Sequence, residues 1–163
     1  MGNSEKGSAT PPHAIRPQPE AHDHAPLQLE NFLPYRLSIL SNTVSQSIAR
    51  DYQQRFALSM TEWRVMAVLA RFEGLSAREL AERTAMDKVA VSRALARLVR
   101  DGRVHRSTHD SDKRRSVLKL SPAGWAIHDV VAPIARAHER DLLQRLSADE
   151  QAWLERILGT LQV

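Results

Sequence analysis

Between Leu75 and Leu120 the sequence spells two short helices, a tight stop and a basic two-stranded ribbon, and few folds accept that order. The first helix, expected over 76–83, opens on Ser76-Ala77-Arg78-Glu79. A serine and a glutamate so spaced satisfy each other's free backbone N–H groups at a helix start. Asp87 caps the second helix, expected over 88–100, whose inner face is Val91, Leu95 and Leu98. Asp101-Gly102 closes it, because glycine enters the left-handed conformation without a Cβ clash. Val117, Leu118 and Leu120 then read as strand, a β-branched and apolar run flanked by turn residues. His109-Asp110-Ser111-Asp112 is rich in turn formers, which puts the tip of a 104–120 hairpin at about 110–114.

A helix pair followed by a hairpin is the outline of a winged helix-turn-helix, which sets its second helix in the DNA major groove. Charge agrees. The segment carries twelve basic side chains (Arg78, Arg83, Lys88, Arg93, Arg97, Arg100, Arg103, Arg106, Lys113, Arg114, Arg115 and Lys119) against six acidic ones, a net +6. The whole 163-residue chain is only +4. Positive charge is thus concentrated where neutralising phosphates would release counterions.

The chain has no cysteine, which excludes disulfides and thiolate chemistry and fits a cytoplasmic protein. No apolar run approaches the roughly 20 residues of a membrane span, and the N-terminus lacks an apolar signal core. Residues 1–26 hold Pro11, Pro12, Pro17, Pro19 and Pro26 among polar residues, too little apolar surface to offset ordering entropy, so a disordered tail is expected. His13, His22 and His24 there lack a rigid frame for a metal. One body is expected over 27–163, with the winged helix-turn-helix at about 57–120 and flanking helices at about 29–55 and 122–163.

The flanks are helical in pattern. Leu33, Leu37, Leu40, Val44 and Ile48 form one apolar stripe on a long first helix. Ser59-Met60-Thr61-Glu62 is a capping box for a buried helix bearing Trp63, Val65, Met66, Val68 and Leu69, which Gly74 ends. Ser121-Pro122 starts another long helix, which Pro133 is expected to kink or break. Ser147-Ala148-Asp149-Glu150 caps a last helix carrying Trp153, Leu154, Ile157, Leu158 and Leu161. These terminal stripes exceed what a reader of about 70 residues needs. A second copy of the chain is the economical partner, and a two-fold dimer presents two recognition helices to a pseudo-palindromic operator in double-stranded DNA. The expected fold class is therefore mainly α with a small β-wing, a winged helix-turn-helix flanked by terminal dimerisation helices.

Five pieces occur in order: Ser-Ala-Arg-Glu-Leu-Ala at 76–81, Asp-Lys-Val-Ala-Val-Ser-Arg at 87–93, Leu98 with Gly102 and Val104, Asp-Lys-Arg at 112–114, and Val-Leu-Lys-Leu-Ser at 117–121. Over about residues 29–163 the chain resembles the MarR family of bacterial transcription regulators. The resemblance implies a homodimer with a winged-helix reader on each arm. For many members it also implies a small-molecule pocket between reader and dimerisation helices.

Within that frame, Lys88, Val89, Ala90, Ser92 and Arg93 occupy the N-terminal part of the recognition helix. The small side chains let it enter the groove, Ser92 bonds phosphate or a base edge, and Lys88 and Arg93 reach phosphate or guanine. Arg97 is expected to touch DNA as well. Arg114, at the wing tip, suits insertion into the minor groove, and Asp112 would orient it, since a carboxylate is repelled there. Arg106, Lys113 and Arg115 add phosphate attraction. Relatives that sense aromatic acids hold the carboxylate with a basic residue of the first helix. That resemblance makes Arg36 a ligand candidate, with Tyr35, Ser38, Asn42 and Trp63 lining the same cleft. The expected function is a repressor released by a small aromatic carboxylic acid, such as a hydroxybenzoate, cinnamate or nicotinate derivative. A non-specific architectural DNA-binding protein is the alternative, though it calls for base-blind contacts and wedge side chains. His105, His109, His128 and His138 show no metal spacing, and no nucleophile elbow or phosphate loop occurs, so neither a metal cofactor nor an enzyme is expected.

Overall fold

The computed structural model describes residues 25–108 and 116–162. A 3-10 turn at Leu29–Asn31 leads into α1 (Leu33–Phe56), α2 (Met60–Arg71), α3 (Ala77–Thr84), α4 (Lys88–Arg100), β1 (Val104–Thr108), β2 (Ser116–Leu120), α5 (Pro122–Leu143) and α6 (Ala148–Leu161). The architecture is mainly α with a two-stranded antiparallel wing.

Caps set most of these boundaries. At α2 the Ser59 backbone N–H donates to Glu62 Oε2 (2.7 Å), while the Glu62 N–H donates to Ser59 Oγ (3.2 Å). The same reciprocal pair forms between Ser76 and Glu79 at α3 and between Ser147 and Glu150 at α6. Asp87 Oδ1 accepts the Ala90 N–H at α4 (2.9 Å). Gly102, at φ +69°, takes the left-handed conformation expected after α4.

The core forms around α2. Val65, Met66 and Leu69 meet Leu80 of α3, Val91, Ala94 and Leu98 of α4, Leu118 of β2 and Val131 of α5, all of them buried. β1 pairs with β2 in the register Val104↔Leu120 through Thr108↔Ser116. The Leu118 N–H also donates to the Leu75 carbonyl (2.9 Å), so the wing is bonded to the segment that enters α3.

A tight joint connects the reader to the long helices. Ser121 is buried; its hydroxyl donates to the Gly102 carbonyl (2.7 Å) and accepts the Gly124 N–H (3.0 Å). The Arg103 guanidinium donates from Nη2 to the Phe56 carbonyl at the end of α1 (2.6 Å). A Cβ at Gly124 would lie 2.2 Å from the Arg103 carbonyl oxygen, an impossible separation. Gly124→Ala is therefore expected to force α5 away from the turn and to destabilise the fold by about 1–3 kcal/mol. Thermal denaturation followed by circular dichroism checks this; an unchanged Tm would show that the joint yields freely.

Two sequence expectations become more specific. Pro133 neither breaks nor ends its helix, since α5 runs through it to Leu143. A proline there removes one backbone donor, and both Pro133 and Asp129, the residue that donor would have bonded, are exposed. The α1 stripe also divides. Ala49 and Tyr52 are buried, and Val44 and Ile48 half-buried, but Leu33, Leu37 and Leu40 are exposed. The 1–26 tail falls almost wholly outside the described residues.

Candidate nucleic-acid interface

The sequence of α4 separates two faces. Val91, Ala94, Leu95 and Leu98 are buried against α2 and α3, which leaves Lys88, Val89, Ser92, Arg93 and Arg97 exposed and Ala90 half-buried. Starting the helix at Lys88, directly after the Asp87 cap, sends these side chains outward from its first three turns. A groove of about 840 Å³ lies between α3, α4 and β1, with Lys88, Ser92, Ala96 and Arg100 on one wall, Ala77 on another and Arg106 on β1. Arg78 and Arg100 at its rim pair with Glu82 and Asp101, each at 2.9 Å. Such exposed pairs add little stability, and phosphate can compete for their arginines. Asp112, Lys113, Arg114 and Arg115 lie outside the described residues.

Arg97 is the candidate whose surroundings the sequence did not disclose. Its Nε donates to Glu62 Oε1 at 2.8 Å, while its side chain stays 45% exposed and that of Glu62 only 6%. Burial pushes the Glu62 carboxyl up. The Ser59 hydroxyl, the Arg97 guanidinium and the Ser59 N–H together outweigh that effect and leave it below its usual value. Glu62 thus caps α2 and holds an arginine of α4. Its spacing revealed only the cap, because its second partner lies 35 residues away.

The proposed ligand residues do not share one cleft within a single chain. Tyr35 and Arg36 line an open groove of about 320 Å³ with Glu30, Ile39, Leu40 and Thr43. Trp63 lines a separate cavity of about 280 Å³ between α1 and α2, with Ser45, Ile48, Tyr52, Met60 and Arg64. Ser38 and Asn42 are exposed on α1 and line neither. Arg36 lies nine residues before Ser45, about 13 Å along the helix axis, beyond the reach of an arginine side chain. The cation that the fold brings near Trp63 is Arg64, whose Nη2 donates to Ser45 Oγ (3.4 Å). Trp63 is already engaged on one side. Its ring stacks on His128 (5.8 Å, 29°) and tilts against Tyr52 (5.9 Å), whose hydroxyl burial pushes up to about 12.

Among the described residues no three His, Cys, Asp or Glu side chains gather as a metal group. Nor is any helix among them long and apolar enough to cross a membrane.

A helix pair whose second member turns a cationic face outward, joined to a two-stranded wing, defines a winged helix-turn-helix DNA-binding protein. Residues 58–115 match the sequence profile described as MarR family. The transcriptional regulator HosA of Escherichia coli O157:H7 is 30% identical over 112 residues, covering 69% of this chain and 83% of HosA. The HTH-type transcriptional repressor Mb2911 of Mycobacterium bovis is 29% identical over 140 residues, 85% of this chain and 95% of that protein. A mutant MarR from E. coli, solved in complex with operator DNA, superposes with a TM-score of 0.71 at 26% identity, covering 85% of this chain and all of that one. The chain belongs to the MarR family of DNA-binding transcription regulators, and its relatives are regulators rather than enzymes.

Proposed function

We propose that the protein is a dimeric, sequence-specific repressor of the cytoplasm, released from a pseudo-palindromic operator by a small aromatic carboxylic acid. The observation that carries this reading is the pair of apolar faces left uncovered at the two ends of the chain. Leu29, Phe32, Leu33, Leu37 and Leu40 are 41–53% exposed before and along the first turns of α1, and Trp153, Ile157 and Leu161 are 49–60% exposed on α6. A second copy buries such faces and fixes the distance between two α4 helices. Likeness to Mb2911, a repressor, supports the sign of regulation. Lys88, Val89, Ala90, Ser92, Arg93, Arg97 and Arg106 are the proposed contacts to DNA, with Lys113, Arg114 and Arg115 on the wing and Asp112 orienting Arg114.

For the acid, the cavity between α1 and α2 offers a flat aromatic wall and a cationic end. The ring would lie against Trp63 and the carboxylate against Arg64 and Ser45, a charge-assisted bond of about 1.5–3 kcal/mol. A ligand wedged between α1 and α2 changes the angle at which the reader leaves the long helices, so ligand and operator bind with reciprocal negative coupling. Calorimetry and DNA-release titrations with benzoates, cinnamates and nicotinates test this on wild type, Arg64→Ala and Arg36→Ala. Arg64→Ala should need at least tenfold more acid for release yet bind operator normally. A loss confined to Arg36→Ala would move the acid to the N-terminal groove of α1, and no binding of any such acid would end the ligand part of the proposal.

A further inference from the structure

We infer that Glu62 is a positioning residue for DNA binding, orienting Arg97 so that its guanidinium meets a phosphate at the edge of the major groove. The inference rests on the reading that α4 enters that groove. Three observations lead to it. Among the described residues Glu62 is the one charged side chain that is buried, at 4% exposure, and its carboxylate is shared between two tasks. Oε2 accepts from the Ser59 hydroxyl (2.6 Å) and backbone N–H (2.7 Å), while Oε1 takes the Arg97 Nε–H (2.8 Å). The cap therefore uses one oxygen and leaves the other for a partner on a different helix.

The second observation is which arginine nitrogen is used. A bond through Nε leaves the two terminal amino groups free of that carboxylate, and the Arg97 side chain is 45% exposed. A guanidinium has five donors in a fixed plane. Fixing one edge of that plane on a buried carboxylate fixes where the opposite edge points, which cuts the rotamer entropy lost when it meets an anion.

The third observation is place. Arg97 lies four residues after Arg93, so the two are neighbours on the helix surface, one turn apart. Arg93 is on the exposed face of the first turns of α4, the part that reads bases in this fold. One turn farther along, a recognition helix leaves the groove floor and passes the backbone. An arginine there serves register and orientation rather than base identity. The neutral Glu62–Arg97 pair adds no net charge to the surface, so its contribution is geometric.

That last point separates positioning from simple electrostatics by sign. Removing a carboxylate near a polyanion should strengthen DNA binding if only charge matters. Positioning predicts the opposite. Glu62→Gln keeps the capping box, because glutamine serves at that position too, and loses the charged anchor for Arg97.

The test uses the full chain, a duplex selected from a random pool by the wild-type protein, and an unrelated duplex of equal length. Glu62→Gln, Arg97→Ala, their double variant and Arg93→Ala are compared by affinity, salt dependence and Tm. Per subunit, Arg97→Ala should weaken binding of the selected duplex about ten- to a hundredfold and flatten the slope of log affinity against log salt by about 0.9. Glu62→Gln should weaken binding of the selected duplex too, with its secondary structure retained. In the Arg97→Ala background it should have no further effect, since its action runs through that arginine. Tighter binding by Glu62→Gln, or an equal loss with and without Arg97, would overturn the inference. An unchanged affinity for Arg97→Ala beside a loss for Arg93→Ala would overturn it alone. Unchanged affinity for both would remove α4 from the groove and the inference with it.

Discussion

Alanine at Ser92 and Arg93 together is expected to abolish discrimination between operator and unrelated DNA while leaving Tm within a degree or two of wild type. Both side chains are exposed on α4, away from the face that carries Val91, Ala94, Leu95 and Leu98. Truncating them removes no buried contact, and surface changes of that kind stay within about 0.5 kcal/mol in stability. Their loss on DNA is another matter. An arginine bidentate to guanine is worth about 1–3 kcal/mol of discrimination, and in a dimer each substitution counts twice. Lys88→Ala should behave differently. As a phosphate contact it should weaken selected and unrelated duplexes alike and flatten the salt slope by about 1 per subunit. Titrations of both duplexes at two salt concentrations give these quantities directly. A double variant that keeps its specificity ratio would show that sequence is read elsewhere.

The reader was legible in the sequence because its boundaries rest on local chemistry. Ser59 with Glu62, Ser76 with Glu79, Asp87, Gly102, and Ser121 with Pro122 each act within four residues of themselves, so spacing alone locates them. The ends of α1 and α3 carry no glycine to mark them, and at α3 only the Ala85 N–H and Thr84 hydroxyl bond back to the Glu82 and Ala81 carbonyls. Ala57 and Ala85 take left-handed conformations at φ 46° and 50°, where glycine is the usual signal. At the end of α1 a tertiary contact adds to the stop, the Arg103 bond to the Phe56 carbonyl.

The site was legible to the same extent. The exposed face of α4 follows from helical period, so Lys88, Ser92 and Arg93 could be placed on it in advance. The second partner of Glu62 could not, because the two residues meet only when α2 packs on α4. The ligand residues show the limit more sharply. Arg36 and Trp63 were grouped by resemblance, yet within one chain they line different cavities, and Arg64 stands beside Trp63 instead. Adjacency between helices is set by how they cross, and no residue count along α1 contains that angle.

Aspartate at both Trp153 and Ile157 is expected to turn the proposed dimer into a monomer and to lower operator affinity by about 10²–10⁴ through lost bivalency. α6 buries no residue against its own chain, and Trp153 is 60% and Ile157 49% exposed, one turn apart on the same face. Within one copy the Arg156 guanidinium lies 4.9 Å from the Trp153 ring and leaves most of it open. The helix is still held in place. Its capping box is intact, and Gln151 donates to the Leu143 and Leu146 carbonyls at 2.9 and 3.1 Å, which anchors its first turns to the end of α5. A helix fixed at one end, with its apolar face uncovered, has that face available to a second chain. Each large side chain so buried contributes about 1.5–3 kcal/mol, and two charges per subunit, facing two more across a two-fold axis, reverse that gain. The core around α2 is untouched by the change, so far-ultraviolet circular dichroism should keep its helical signal. Sedimentation at micromolar concentration gives the mass, and titration of a full operator against a half-site gives the affinity. Wild type should prefer the full operator strongly, and the double aspartate variant should bind the two alike. A variant that still sediments as a dimer would place the interface on some face other than α6.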